Sequence, residues 1–351
     1  MKDSIKKFVL RTLLAALPVF LFMAFYAIAD PFHIVHPTCH DSQGRDSVAV
    51  SNNAGFTSVE TYLLHNEHYH YDSFIFGSSM SQNFKASYWK PHLDSTASIL
   101  HFDASSETLT GIINKMRLLN HHGTTIKNAL IVIEAKMLER REPSNDDILY
   151  VQHPATTSAP DWLHVHSIFF NAFLNLQQVK LALFPDRNKH SGHDNGIVSE
   201  IAPNRIGHLN EMYYATVDSI IAVNPDEFYT PERIKSFKRA ILPTATQPAI
   251  DHEMEVKLLT IKGILDANHS NYIIIVPPRN SFRPLAIQDL WVMKSIFGDN
   301  RVHDFSRHPE LINNDRVYYD NGAHLISAKC HLLLDSAYRS QQAPALSNPY
   351  F

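Results

Sequence analysis

Five short apolar runs, each followed by turn-forming or polar residues, constrain this chain more than any other feature. They are Ser73 to Phe76, Ser98 to Phe102, Ala129 to Glu134, Tyr272 to Val276 and Arg301 to Phe305. Runs this short that are apolar at successive positions fit strands buried on both faces. The stretches between most of them are amphipathic. Leu109, Ile112, Ile113, Met116 and Leu119 recur at helical spacing between the second and third runs, and Pro284 to Phe297 separates the fourth from the fifth. This alternation predicts an α/β fold, with a parallel sheet of about five strands covered by helices on both faces. In such sheets functional groups gather at the carboxyl ends of the strands.

The first run ends in Gly77, Ser78 and Ser79, within Tyr71-Asp-Ser-Phe-Ile-Phe-Gly-Ser-Ser-Met-Ser-Gln-Asn-Phe84. A glycine lets the backbone turn sharply at the strand end, and a helix is expected just after Ser79. A serine there is displayed beside free backbone N–H groups, which can stabilise an oxyanion during acyl transfer. Taken alone, Gly-Ser-Ser favours a helix N-cap over a nucleophile. The second signal lies in Val317-Tyr-Tyr-Asp-Asn-Gly-Ala-His-Leu325, before an amphipathic segment expected to form the last helix, Ala323 to Tyr338. Asp320 and His324 can complete a triad with Ser79, His324 as the base and Asp320 holding its tautomer. The competing reading makes Asp320 a helix cap. The two segments together favour the triad.

An early strand ending in Gly-Ser-Ser, alternating strands and helices, and a late Asp and His before the terminal helix resemble the SGNH (GDSL-type) hydrolase superfamily. The apolar N-terminus and the Asp-Ser-Phe-Ile-Phe-Gly-Ser-Ser form resemble its membrane-anchored envelope branch. That branch includes the D-alanyl-lipoteichoic acid transfer protein and the acetylation proteins of exopolysaccharide systems. The resemblance implies a flavodoxin-like sheet, an extracytoplasmic esterase or O-acyltransferase acting on acyl esters of cell-envelope glycan, a small acyl group such as acetyl, and work beside a membrane-bound O-acyltransferase. The alternative it leaves open is a catalytically degenerate domain that binds glycan or scaffolds a membrane complex. By position, Ser79 matches the nucleophile, with Ser78 in place of the family's Asp, and Asp320 and His324 match the closing pair. The chain spaces that pair one residue wider than the family's Asp-x-x-His, so either the Asn321-Gly322 turn loops out one residue or another carboxylate serves. Where the family has an oxyanion-hole glycine, the chain reads His101-Phe-Asp-Ala-Ser-Ser-Glu107, leaving the backbone N–H groups of Ser79, Ala104 and Ser105 as candidate donors. The family's third donor, an Asn, has no counterpart in Ile133-Glu-Ala-Lys-Met137.

Lys2, Lys6, Lys7 and Arg11 precede Thr12 to Ala29, a run without charge and about long enough to cross the hydrocarbon core. It reads as a membrane anchor with the positive end cytoplasmic, or as a signal peptide ending at Ala27-Ile-Ala29; its length favours the anchor. Three regions follow: an anchor over 1–30, a membrane-proximal segment over 31–70, and a domain over 71–351 interrupted by a mostly helical insertion at about 140–254. The insertion could be a lid, a glycan surface or a docking face, and its stripe Ile168, Phe169, Ala172, Phe173 and Leu176 is expected to be core.

A net charge of −4 without a basic stripe gives no basis for nucleic-acid binding. The two cysteines, Cys39 and Cys330, allow one bridge in an oxidising compartment. Among 22 histidines, His65, His68 and His70 cluster, and His164 with His166 form a pair that could ligate zinc from a strand or turn. Neither group has the further ligands that close a site, so surface or partly buried histidines are the default and no metal or other cofactor is expected. Arg279, in the loop Pro277-Pro-Arg-Asn280, is a candidate contact for an anionic substrate.

Overall fold

A computed structural model describes residues 2–40, 46–48, 53–143, 147–157, 159, 161–175, 179, 193–194, 197–198, 204–237, 246–279, 283–320 and 324–342. Its centre is a five-stranded parallel sheet formed by β1 (Ser73–Gly77), β2 (Ile99–Asp103), β3 (Asn128–Val132), β4 (Asn271–Val276) and β5 (Val302–Asp304). The spatial order is 2-1-3-4-5, a doubly wound arrangement with its crevice between β1 and β3. Gly77 pairs with Asp103 on one side and Val132 on the other, so the carboxyl ends of the three strands are level.

The sheet is buried on both faces, as the apolar runs require. Phe74, Phe76, Phe102, Ile131 and Ile274 face one layer of helices: α2 (Ala54–Tyr69), α3 (Leu109–His121), and further along the chain the helices His252–Ala267 and Ile287–Phe297. Tyr62, Ile112, Met116, Leu258, Ile261 and Met293 close that side. Ile75, Leu130, Val132, Ile273 and Ile275 face the other side, against Trp89, Phe84 and the terminal helix Ser327–Gln342 through Leu333, Leu334 and Ala337. Complete burial of a side chain of this size stabilises by about 1.5–3 kcal/mol, so these two layers dominate the fold. The helix starts are capped by short polar side chains: Asn53 accepts from the Phe56 N–H, Thr108 from Gly111 and Asp251 from Met254.

Helix α2 lies in the segment expected to precede the domain, yet Val59 and Tyr62 belong to the sheet's core cluster. The inserted region divides into two parts. Its first part carries α4 (Trp162–Phe173), whose Phe169 and Phe173 are buried, as expected for the stripe; Leu176 lies outside the described residues. Its second part was expected to be one helical run around His208 to Val223. Instead it forms an antiparallel ribbon, Asn204–Ile206 with Glu211–Tyr213, joined through a turn at Gly207–Leu209, followed by α5 (Ala215–Val223). The positive φ of Asn210 reverses the chain there. With these names the long helices after the insertion become α6 (His252–Ala267), α7 (Ile287–Phe297) and, beyond a single helical turn at Pro309–Ile312, α8 (Ser327–Gln342), which starts four residues later than expected.

The N-terminal α1 (Lys2–Ala29) contains a stretch, Ser4–Ala29, that is long and apolar enough to cross a membrane and is almost entirely unburied. Length and composition suit an anchor or a signal sequence.

Gly77 stands where a side chain does not fit. A Cβ built on it would lie 2.8 Å from the Ser81 Cβ, 3.0 Å from the Val132 carbonyl oxygen and 3.1 Å from the Val132 Cβ. Two of those atoms belong to the neighbouring strand and one of them is backbone, so relief requires β1 to move away from β3. Gly77→Ala is expected to destabilise the domain by about 1–3 kcal/mol, the usual range for overpacking. Denaturant unfolding of the two proteins measures this directly.

Candidate active site

Ser79 follows the carboxyl end of β1, at the crevice between β1 and β3. Ser78 is extended, and its hydroxyl accepts from the Met80 N–H at 3.3 Å, starting a single 3-10 turn over Ser79–Ser81. The helix expected directly after Ser79 is absent. A four-residue helix follows only at Ala86–Trp89, because Lys85 and the residues before it are used to tie the turn to its neighbours. Ser81 donates to the Ser78 carbonyl at 2.8 Å and lies 3.1 Å from His101 Nε2. Gln82 donates to Asp103 Oδ2 at 3.1 Å. These bonds fix the Ser79 backbone through buried polar groups on β2.

His324 reaches Ser79 from the far end of the chain. Its Nε2 lies 2.8 Å from Ser79 Oγ, and its Nδ1 lies 2.5 Å from Asp320 Oδ2. The other carboxylate oxygen of Asp320 accepts the His324 backbone N–H at 3.0 Å. One carboxylate therefore holds both the ring and the main chain of the histidine, which accommodates the wider Asp-His spacing. The Asn321-Gly322-Ala323 turn itself lies outside the described residues. A proton on Nδ1, set by the bond to Asp320, leaves Nε2 as the acceptor for the Ser79 hydroxyl. His324 and Asp320 are partly open to solvent, with 30% and 41% of their side chains exposed.

The histidine loop is braced on several sides. The Tyr319 N–H donates to the His324 carbonyl at 2.9 Å, Ile326 donates to the Val317 carbonyl at 2.9 Å, and the buried Asn83 amide donates to the Leu325 carbonyl at 2.7 Å. Asn83 follows Ser79 by four residues, so the nucleophile turn grips the histidine loop directly. The insertion adds more: Arg233 donates to the Tyr319 carbonyl at 3.1 Å, and Tyr319 hydrogen-bonds to Asp218 on α5. Burial, reinforced by that carboxylate, raises the Tyr319 phenol above the usual tyrosine range. Asn210 donates to the His101 carbonyl at 2.7 Å, and the Glu211 carboxylate accepts the Ala86 N–H at 2.6 Å. Burial pushes the Glu211 carboxyl up and the neighbouring Lys85 ammonium down, each opposed in part by the charge of the other.

At the end of β3 stands Glu134, a residue that sequence reasoning passed over. Ser78 Oγ donates to its Oε1 at 3.0 Å, Arg279 donates to its Oε2 at 2.7 Å, and Arg140 lies 3.6 Å from Oε1. The carboxylate thus ties the loops after β1, β3 and β4 together across the crevice. Arg279, expected as a contact for an anionic substrate, is engaged with Glu134. The signal that could have found Glu134 was its place: a lone acid at the carboxyl end of a buried apolar run.

The expected oxyanion donor on β2 needs correction. The Ala104 N–H donates to the Gly77 carbonyl at 3.1 Å, continuing the β1–β2 ladder one residue past the strands, so it is not aimed at Ser79. Ser105 occupies the following turn, where Ser106 has a positive φ of 54°. A cavity of about 410 Å³ adjoins that turn, lined by Ser105, Lys136, Arg140, Tyr150 and His153 among others.

Other expectations also change. His164 and His166 lie on helix α4, two positions apart, where side chains point in different directions and cannot share a metal as on a strand. Among the described residues no group of three His, Cys, Asp or Glu side chains converges as a metal site. Cys330 is a free, buried thiol facing the sheet from α8, so it forms no bridge with Cys39, whose side chain is outside the described residues. Desolvation raises its pKa far above the usual thiol range. No protein-family model matches the chain, and no curated protein matches it.

Removing the Asn83 amide should loosen the contact between the two halves of the triad. Asn83→Ala is expected to cost about 1–3 kcal/mol of stability, because a buried carbonyl loses its donor. It should also slow the reaction of Ser79 with an active-site-directed phosphonate, which a labelling time course would show.

Proposed function

We propose that this chain is an SGNH-like serine esterase or O-acyltransferase that works at the outer face of a membrane on acyl esters of cell-envelope glycan. The observation that carries the reading is the 2.8 Å approach of Ser79 Oγ to His324 Nε2, with Asp320 on the other ring nitrogen. The doubly wound strand order, with Ser79 at its crevice, and the close of the chain on Asp, His and a terminal helix fit the same family. Placing the domain outside follows from Lys2, Lys6, Lys7 and Arg11, which precede the apolar stretch and favour the cytoplasmic side. The small acyl group and a membrane-bound acyltransferase as partner come from the resemblance.

The chemistry would run in two halves. Ser79 Oγ attacks the ester carbonyl while His324 Nε2 takes its proton, and the imidazolium is stabilised by Asp320. Collapse of the tetrahedral intermediate breaks the ester bond, and His324 returns the proton to the departing alcohol, leaving an acyl ester on Ser79. In the second half His324 takes a proton from water or a sugar hydroxyl, which attacks that ester and frees Ser79. Hydrolysis and transfer differ only in which hydroxyl reaches the intermediate.

One observation favours the non-catalytic reading, in which the domain binds glycan or scaffolds a membrane complex. The Ala104 N–H is bonded to Gly77, leaving Ser105 as the remaining backbone candidate after β2, and Ile133 to Met137 after β3 contain no Asn, so one of the family's oxyanion donors has no equivalent. Loss of one such donor costs about 2.7–4 kcal/mol of transition-state stabilisation.

The two readings separate on exposure of the full chain, in detergent, to a fluorophosphonate, followed by intact-mass analysis. An activated nucleophile gives one adduct, absent from Ser79→Ala and formed about 100-fold or more slowly in His324→Ala, the usual scale for loss of a general base. No adduct on the unaltered chain would sink the catalytic reading.

A further inference from the structure

Helix α4 does not pack on the sheet. Its buried side chains Val165, Phe169 and Phe173 form a separate cluster with Tyr26, Phe32, Ile34, Phe56 and Val151. The direction of the contacts is ordered. Near its start, Trp162 meets Phe56 of the catalytic domain at 6.2 Å between ring centroids. Four residues from its end, Phe169 meets Phe32 at 5.5 Å, just past α1. At its end, Phe170 and Phe173 meet Phe22 at 6.1 and 5.4 Å and Tyr26 at 5.3 and 5.2 Å. Helix α4 therefore runs antiparallel to α1, back along the apolar segment.

The depth follows from helix geometry. Arg11 is the last charge before the run, and about 30 Å of hydrocarbon corresponds to roughly 20 residues of helix at 1.5 Å each, ending near residue 31. Phe22 and Tyr26 then lie roughly 7–14 Å inside the boundary on the domain's side, and so does the end of α4 that packs on them. Its composition suits that position. From Trp162 to Val179 the chain has no Asp, Glu, Lys or Arg. Beside the Phe170 and Phe173 contacts with α1, α4 carries Leu163 and Leu174, spaced eleven apart on one side of the helix. Leu163 and Leu174 are 81% and 51% exposed, and Trp162 is 42% exposed. This apolar face is continuous with that of α1, where Leu17, Val19, Phe20 and Met23 are equally bare.

We propose that α4 is a lipid-inserted helix that enters the leaflet on the domain's side next to α1, with Leu174 deepest and Trp162 at the headgroup boundary. Its occupant is the bilayer itself, because the two helices share one apolar surface at one depth. A tryptophan at that boundary has the amphipathic ring that interfaces favour. The helix holds the catalytic domain at a fixed height and rotation, since a second contact removes the swivel that a single span allows. The proposal rests on α1 crossing the membrane, as in the function proposed above.

The full chain in nanodiscs of phosphatidylethanolamine and phosphatidylglycerol provides the test. An environment-sensitive nitrobenzoxadiazole probe goes on single cysteines, Leu163→Cys, Ser167→Cys and Leu174→Cys, with Leu17→Cys as the α1 control, in a Cys39→Ser background; the remaining Cys330 is buried. The expected result is several-fold stronger quenching of the Leu174 probe by nitroxide-labelled lipid than by aqueous iodide, with the preference falling from 174 through 167 to 163. The Ser167 probe reads the gradient even where a leucine substitution disturbs the helix. Iodide quenching without lipid quenching at 174 would overturn the proposal, and so would shielding from both, which would mean a second copy or another protein covers the face. Loss of lipid quenching at the Leu17 control would overturn the span itself, and α4 with it, while leaving the Ser79 chemistry standing.

Discussion

The parallel pairing of β1 between β2 and β3 is the constraint on which the rest of the site depends. Because Gly77 is level with Asp103 and Val132, the chain leaves the sheet at one height on three adjacent strands. Ser79 and the Glu134 carboxylate then stand close together at the carboxyl edge, joined through Ser78. A side chain at Gly77 would collide with the β3 backbone, so the identity of that residue and the register of two strand pairs are one fact. The apolar layers on both faces make the register costly to change, since a shift by one residue would turn Phe74 and Phe76 toward α8 and Ile75 toward α3.

The far half of the site depends on a different economy of contacts. Asp320 uses one oxygen on the His324 backbone and the other on its ring, so the loop needs no helix to present the imidazole. Tyr319, Asn83 and Arg233 then hold that loop by its carbonyl groups. Glu134 does the corresponding work on the nucleophile side, with Ser78 and Arg279 as its partners. Ser78 supplies a hydroxyl beside the Ser79 turn, and the negative charge there comes from Glu134, just past β3.

Much of this was legible in the sequence. The five strands were readable because a strand buried on both faces has to be apolar at successive positions, and Ser79, Asp320 and His324 were readable because their chemistry limits which residue types can serve. Helix α2 was not, because its buried side includes Thr57, Ser58 and Thr61, which blur the apolar period. Glu134 escaped notice because its role arises where β1, β3 and β4 converge, and nothing in a linear window shows that Arg279 and Ser78 will meet there. The Ala104 donor was misjudged for a similar reason: sequence places an N–H after a strand but not the carbonyl it will bond. The split of His208 to Val223 into ribbon and helix turns on Asn210, whose amide is drawn to the His101 carbonyl and to Asp103 at 3.2 Å. Tertiary hydrogen bonding of that kind outweighs helix propensity.

The inserted region gives the two ends of the molecule a common part. Its second half, through Asn210, Glu211, Asp218 and Arg233, grips both the Ser79 turn and the His324 loop, while its first half rides on α1 through Phe170 and Phe173. Val151 and His153 stand between them: Val151 belongs to the cluster at the end of α1, His153 packs at a tilt against Phe56, and both line the cavity beside Ser105. The buried bond from His153 to Glu60 at 2.8 Å and the bond from Asn53 to the Val151 carbonyl at 2.7 Å fasten the wall to α2, which itself packs on β2. Packed elements linked in this way transmit position because none can shift without opening a void or orphaning a buried polar group. Side-chain contacts thus run from the apolar N-terminal helix to the carboxyl edge of the sheet.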